Sequence, residues 1–236
     1  MSGALVLADT EVAHDLTTYI ARARTLEADG AIRLQAAGTT LAAWVGVRKG
    51  RGLMGEGTVI GLRVLPLAQP VDAPIDVVVP LAAVADRLAR HSAPRRAADA
   101  TAGVSADSAD GSGSPFALEI PPMTVRTSWA AVSPPRSGWS PLARLPVDGL
   151  VHVARVGIEE VATGTPEGAG AAAVEQLRER VWSRPIEGEL GGADGLPAGA
   201  ALGLYALGFA VGDVATVYGT ARWHRLSTGV GHVLVR

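Results

Sequence analysis

The spacing of apolar residues changes along residues 1–91, and this change constrains the fold more than any other feature of the chain. Between residues 12 and 23, apolar side chains recur every three or four positions, which is typical of one face of a helix. Between residues 32 and 36 they alternate with polar ones, as in a half-buried strand. Further elements are predicted as strands ending near Val47, at 58–67 and at 75–79, and as a helix that begins at Pro80.

The rest of the chain mixes the same two periods. A strand-like stretch covers 116–125, three helices are predicted near 147–162, 169–183 and 197–211, and the alternating end at 214–236 predicts a β-hairpin. The sequence therefore predicts an α+β fold. It consists of an antiparallel sheet meander with flanking helices, a long flexible segment in the middle and a C-terminal β-hairpin.

Residues 92–115 separate the two halves. Val104 is their one sizeable apolar residue, and small polar residues, glycine and proline fill the remainder. Because such a stretch buries nothing that would offset the entropy of ordering it, we interpret it as a flexible linker or a long insertion. The α+β segments 1–91 and 116–236 on either side are then two domains or the parts of one composite domain.

Composition excludes several classes of protein. Hydrophobic residues make up 48% of the chain and charged residues 19%, so the chain is not broadly disordered. The net charge of −2 provides no global field of the kind that marks many nucleic-acid binders. The absence of cysteine excludes disulfides, thiolate metal sites and cysteine nucleophiles.

An uncharged stretch at 195–212 raises the question of a membrane span. It is eighteen residues long and contains two Gly-x-x-x-Gly spacings, but it is mostly alanine and glycine and lacks basic flanks. A helix that is apolar all round is usually buried in a core, so we expect a closely packed helix there and no membrane association. The first residues also lack the basic region of a secretory signal, which leads us to expect a soluble, cytoplasmic protein.

The loop after the strand that ends near Val47 contains the first candidate site. Its residues 50–55 match the pattern G-x-G-x-x-G, but a strand follows where a dinucleotide site needs a helix, so no cofactor is predicted. Arg48, Lys49 and Arg51 remain as cations on a loop rich in backbone N–H groups, which suits a phosphate or another anion. The alternative is an ordinary solvated hairpin loop.

The C-terminal hairpin contains the second candidate site. Arg222 and Arg225 lie among aromatic residues, an arrangement that nucleic-acid surfaces use, and no acidic residue occurs in 214–236. If the turn is centred on Thr228, then His224 and His232 are cross-strand neighbours and could begin a metal site, although no third ligand is identifiable. The alternative is a purely structural hairpin.

Two tryptophans flank the proline-rich loop at 133–139. Trp129 and Trp139 could form a recognition surface on this rigid loop or a lid that seals the core. The lid is the interpretation we favour, because tryptophan is largely buried on average.

Three stretches carry a resemblance to known sequences: SPPRSGW at 133–139, W-x-R-L-S-T at 223–228 and GHVLVR at 231–236. In these stretches the chain resembles uncharacterised proteins of high-GC actinobacteria. The resemblance implies no activity and no role for any residue.

We searched the sequence for common catalytic signatures and found none. The leading hypothesis is therefore a non-catalytic binding or regulatory module whose partner is an anionic ligand or a nucleic acid. One alternative is a small-molecule enzyme with a site between the two halves, using His224 or His232. Another is a structural homo-oligomer, suggested by the glycine- and alanine-rich helix at 197–211.

Overall fold

Helices and strands alternate along the chain in the computed structural model, which describes residues 4–52, 55–92, 113–165, 168, 170–187, 195–220 and 222–236. The described strands are β1 (Ala4–Leu7), β2 (Ala31–Ala37), β3 (Thr40–Arg48), β4 (Val59–Pro66), β5 (Ile75–Pro80), β6 (Phe116–Glu119), β7 (Ser140–Pro146), β8 (Val214–Thr220), β9 (Trp223–Ser227) and β10 (His232–Val235). The described α-helices are α1 (Thr10–Leu26), α2 (Leu81–Ser92), α3 (Val147–Thr163), α4 (Ala171–Trp182) and α5 (Ala198–Ala206).

The α+β class predicted from the sequence is confirmed. Eight strands form one antiparallel sheet in the order β5-β2-β3-β4-β10-β9-β8-β7, and β1 pairs with β6 in a second, two-stranded sheet. The flexible segment expected in the middle falls mostly on residues 93–112, which lie outside the described residues, so that interpretation stays a prediction.

One compact unit consists of Met1–Ala43 and Val64–Val125. Its helix α1 begins where the Asp9 side chain accepts a hydrogen bond of 2.8 Å from the backbone N–H of Val12. Leu16 and Ile20 on its inner face are buried, as the helical spacing predicts. In β2, buried and half-buried residues alternate from Ile32 onward, so this strand prediction is also confirmed.

The second compact unit consists of Trp44–Arg63 and Arg126–Arg236. Six of the nine residues of its helix α5 are buried, because its small residues allow close packing on the sheet. A Cβ atom added to Gly203 would lie 2.8 Å from Cγ1 of Val233 on β10. The buried helix predicted at 197–211 therefore exists, although it ends at Ala206. Among the described residues, no helix has both the length and the apolarity to cross a membrane.

The compact units do not follow the segments 1–91 and 116–236. Residues 44–63 belong to the second unit and residues 116–125 to the first. Strands β3 and β4 are each divided between the units, because the end of β3 and the beginning of β4 lie beside the strands of the second unit. Whether the segments are two domains or one composite domain stays a prediction.

Proline explains two differences between the predicted and the observed strands. The predicted strand at 116–125 ends at Glu119, since Pro121 and Pro122 have no N–H to donate. Conversely, β7 contains Pro141 and was not predicted as a strand. It lies at the end of the sheet order, where proline is tolerated because only one side of the strand is paired.

Candidate functional site

Arg48 at the end of β3 forms a buried ion pair with Glu179 of α4. The Arg48 side chain is only 7% exposed, and its Nη1 donates a hydrogen bond of 3.4 Å to the carbonyl of Gly57. Arg51 Nε lies 3.3 Å from the same Glu179 carboxylate, but the Arg51 side chain is 60% exposed. One carboxylate therefore compensates two of the three cations predicted to hold an anion.

The loop that follows is tightly closed. The backbone N–H of Arg51 donates to the carbonyl of Glu56 at 2.8 Å, and the reverse bond measures 3.0 Å. Gly57 has a φ of 75°, which favours glycine, and its N–H donates to the carbonyl of Arg236 at 2.8 Å. These bonds hold the loop against the Arg48 guanidinium.

Burial sets the electrostatics of this first candidate site. It lowers the pKa of Arg48, while the nearby Glu175 carboxylate acts in the opposite direction. An external anion would have to compete with Glu179 for this guanidinium, whereas Lys49 next to it is exposed. We conclude that Arg48 is an internal ion-pair partner, and the anion site predicted at Arg48, Lys49 and Arg51 stays a prediction.

The guanidinium of Arg225 on β9 lies over two aromatic rings. Its guanidinium carbon lies 4.8 Å from the centre of the Trp139 ring and 4.5 Å from that of Tyr218, both within the range of cation–π attraction. Tyr218 stands directly opposite Arg225 in the antiparallel register of β8 and β9. Gly138, with a φ of 79°, precedes Trp139, and the Trp139 indole N–H donates to the carbonyl of Pro135 at 3.0 Å.

The Arg225 guanidinium has no carboxylate and no hydrogen-bond acceptor among the described residues. Its Nε is fully buried, and burial lowers the pKa of Arg225, with the Tyr218 phenol acting in the opposite direction. A buried arginine nitrogen normally has a hydrogen-bond acceptor, so the unpartnered Nε of this half-buried side chain is unusual.

His232 on β10 lies on the same face of the sheet as Arg225. Its Nδ1 is 2.9 Å from the hydroxyl oxygen of Ser227, the residue directly opposite it in the register of β9 and β10. Because Ser227 and Arg225 are two positions apart on one strand, their side chains share a face. Burial lowers the pKa of His232, and the charge of Arg225 lowers it further.

The predicted cross-strand pair of His224 and His232 is wrong. His224 stands opposite Val235 and, being adjacent to Arg225, faces the other side of the sheet. The turn occupies residues 228–231, where the Thr228 N–H donates to the Gly231 carbonyl at 3.0 Å, so it is not centred on Thr228. No group of three or more metal-ligating side chains was found within the described ranges.

The two tryptophans beside the proline-rich loop play different roles. Trp129 is buried and lies so close to β3 that a Cβ on Gly46 would approach its ring to 2.6 Å. Trp139 is half-buried and stacks on Arg225.

Arg222, the other arginine predicted at the hairpin, is exposed at the turn between β8 and β9. Sequence reasoning missed the grouping of Trp139, Tyr218 and Arg225, since no turn signal at 221–222 fixes that register.

Comparisons with known proteins match each half of the chain to a separate family model. Residues 1–110 match a model described as "Domain of unknown function (DUF8010)", and residues 134–236 match one described as "Domain of unknown function (DUF8185)". A search of the curated proteins found no match.

Several solved structures resemble the chain at low identity. "Caulobacter crescentus pol III beta" is 10% identical with a TM-score of 0.47, and the match covers 100% of this chain and 65% of that structure. The DNA polymerase III subunit beta from Pseudomonas aeruginosa is 11% identical with a TM-score of 0.46, and the match covers 100% of this chain and 64% of that structure. The corresponding subunit from Thermotoga maritima is 12% identical with a TM-score of 0.44, and the match covers 99% of this chain and 64% of that structure. The chain thus spans less than two thirds of these proteins, and likeness at this level says nothing about what it binds.

Proposed function

We propose that this chain is a non-catalytic binding module whose ligand presents an oxyanion, a carboxylate or a phosphate, to Arg225. One observation carries the proposal: the Arg225 guanidinium is stacked on two rings and has neither a hydrogen bond nor an ion pair in the described part of the chain. A nucleic-acid phosphodiester is one source of such an oxyanion, and a free small molecule is another.

The geometry suits an anion that approaches in the guanidinium plane. The Trp139 and Tyr218 rings lie 4.8 Å and 4.5 Å from the guanidinium carbon, and burial keeps Nε away from an external ligand. The terminal N–H groups lie in the plane and match the two oxygens of a carboxylate or phosphate. Because the rings fix the guanidinium in advance, less side-chain entropy is lost on binding.

Two further polar groups lie on the same face. Ser227 lies two residues, about 7 Å, from Arg225 along β9, and His232 is the diagonal neighbour of Arg225 on β10, about 7–8 Å away. Both can donate hydrogen bonds to additional oxygens of the same ligand. No carboxylate in the described ranges orients the Ser227–His232 pair, so this pair supports binding better than it supports nucleophilic catalysis.

Isothermal titration calorimetry tests the proposal with inorganic phosphate, acetate and a short oligothymidylate at low ionic strength. We expect the wild type to bind at least one of these probes and Arg225→Gln to bind it about tenfold more weakly or worse, since charge-assisted hydrogen bonds contribute about 1.5–3 kcal/mol. Tighter binding of the oligothymidylate than of phosphate would identify a nucleic acid as the source of the oxyanion.

Arg155→Gln is the matched control, because Arg155 also lies over an aromatic ring, that of Tyr205 at 5.7 Å, but is exposed. This variant should bind like the wild type. Equal binding by Arg225→Gln and the wild type, or no binding of any probe, would overturn the proposal.

The other expectations from the sequence stay predictions. The helix that suggested a homo-oligomer, α5, packs its small residues inside its own unit, so this observation no longer favours that alternative. The cytoplasmic location and the resemblance to actinobacterial proteins have no further support.

A further inference from the structure

We infer that oxyanion binding at Arg225 is coupled to protonation of His232, so that the site takes up a proton together with its ligand. This inference rests on the proposed function and adds regulation by pH to it. It starts from the placement of His232 and Arg225 on one face of the sheet, where the Arg225 charge acts on the imidazole.

The surroundings of His232 contain cations but no carboxylate in the described residues. Ser227 contacts it from β9, and Leu62 lies opposite it on β4. The remaining polar or charged residues that the register of β7, β8 and β9 places on this face are Arg225 on β9, Thr216, Tyr218 and Thr220 on β8 and Arg144 on β7. The described residues of these strands include no Asp or Glu, so they place no negative charge next to the imidazole in the absence of a ligand.

The neutral imidazole is favoured in the free protein. Burial lowers the pKa of His232, and the adjacent Arg225 charge lowers it further. An oxyanion on Arg225 cancels that charge, and a doubly charged one leaves a net negative charge, so either raises the pKa of His232 in the bound state. A group whose pKa is higher in the complex binds a proton on complex formation, so affinity increases as pH falls through the range between the two values.

Sulfate is the appropriate probe, because it keeps its double charge from about pH 5 to about pH 8. Any proton taken up on binding is therefore bound by the protein and not by the sulfate. We would titrate it by calorimetry across this range in two buffers of different ionisation enthalpy. The apparent Kd should fall as pH is lowered, by at most about tenfold per pH unit for a single coupled proton. Proton uptake should lie between zero and one per sulfate.

His232→Gln keeps a polar side chain and should bind sulfate with a Kd that no longer depends on pH. His152→Gln is the matched control, since His152 is exposed on α3, and it should retain the wild-type pH dependence. A direct measurement needs no variant: the pKa of His232, followed by NMR, should rise when sulfate saturates the wild type.

The possible failures are distinguishable. If the wild type binds sulfate through Arg225 with a constant Kd, no proton uptake and an unchanged pKa of His232, the coupling is refuted and the proposed function stands. If sulfate and the other probes bind at no pH, the proposed function fails and the coupling fails with it.

Discussion

Replacing Glu179 by alanine should strongly destabilise the chain, because it leaves the buried Arg48 charge without its ion-pair partner. The Arg48 side chain is only 7% exposed and its Nε already lacks a hydrogen bond. Removing one partner of a buried ion pair typically costs about 3–5 kcal/mol. Since Glu179 is itself 20% exposed and water can partly replace it, we expect a loss near the lower end, about 3 kcal/mol.

Urea unfolding followed by circular dichroism measures this loss. With an m value of about 3 kcal/mol/M, the midpoint should fall by about 1 M. Arg51→Ala removes the exposed partner of the same carboxylate and should cost at most about 1 kcal/mol. The double variant Arg48→Met/Glu179→Leu should recover most of the stability, because an apolar pair of similar volume needs no compensation.

Two results would refute this reasoning. One is a midpoint for Glu179→Ala equal to that of Arg51→Ala, which would mean that the Arg48 charge is solvated. The other is a double variant less stable than Glu179→Ala, which would mean that packing of the charged side chains matters more than their charge.

Three further predictions concern packing, stacking and helix capping. Gly46→Ala should lower the free energy of unfolding by about 1–3 kcal/mol, because its Cβ would meet the Trp129 ring at 2.6 Å. Gly229→Ala is the control and should change the free energy of unfolding little, because the space around Gly229 is open. Thermal unfolding compares the two variants. Trp139→Leu removes one ring from the stacked guanidinium and should weaken phosphate binding roughly threefold to tenfold in a calorimetric titration. Asp9→Ala removes the cap of α1 and should cost about 1 kcal/mol in urea unfolding.

Each of these predictions has a clear contrary result. Equal stabilities of the two glycine variants would show that the tryptophan side chain moves aside freely. Unchanged phosphate affinity after loss of the ring would separate stacking from binding. An unchanged midpoint for Asp9→Ala would mean that another group satisfies the first turn of the helix.

Much of the fold follows from local patterns in the sequence. The helix α1 and the strand β2 were predictable because their apolar residues repeat at the period of each element and because Asp9 is a good cap. By contrast, β7 could not be predicted, because Pro141 argues against a strand unless the strand lies at a sheet edge. Edge position is a property of the assembled sheet and leaves no local signal.

The candidate site was predictable only in part. Arg225 and His232 could be singled out as a cation and an imidazole in a hairpin without acidic residues. The register that places Ser227 rather than His224 opposite His232 depends on the length of the turn, and Gly229 and Gly231 indicate a turn without fixing that length. Trp139 reaches Arg225 from a distant part of the chain, and such contacts depend on tertiary packing, which periodicity does not encode.

The most direct test of the central claim is an NMR titration of the isotope-labelled protein with inorganic phosphate, observing the Arg225 Nε–H and the Trp139 indole N–H. We predict saturable shifts of both signals at the same phosphate concentration, with the signal of the buried Trp129 indole unchanged. This prediction would be contradicted if both signals remained unmoved at saturation, or if the shifts appeared instead at Arg48, Lys49 and Arg51, since the anion would then bind at the other loop.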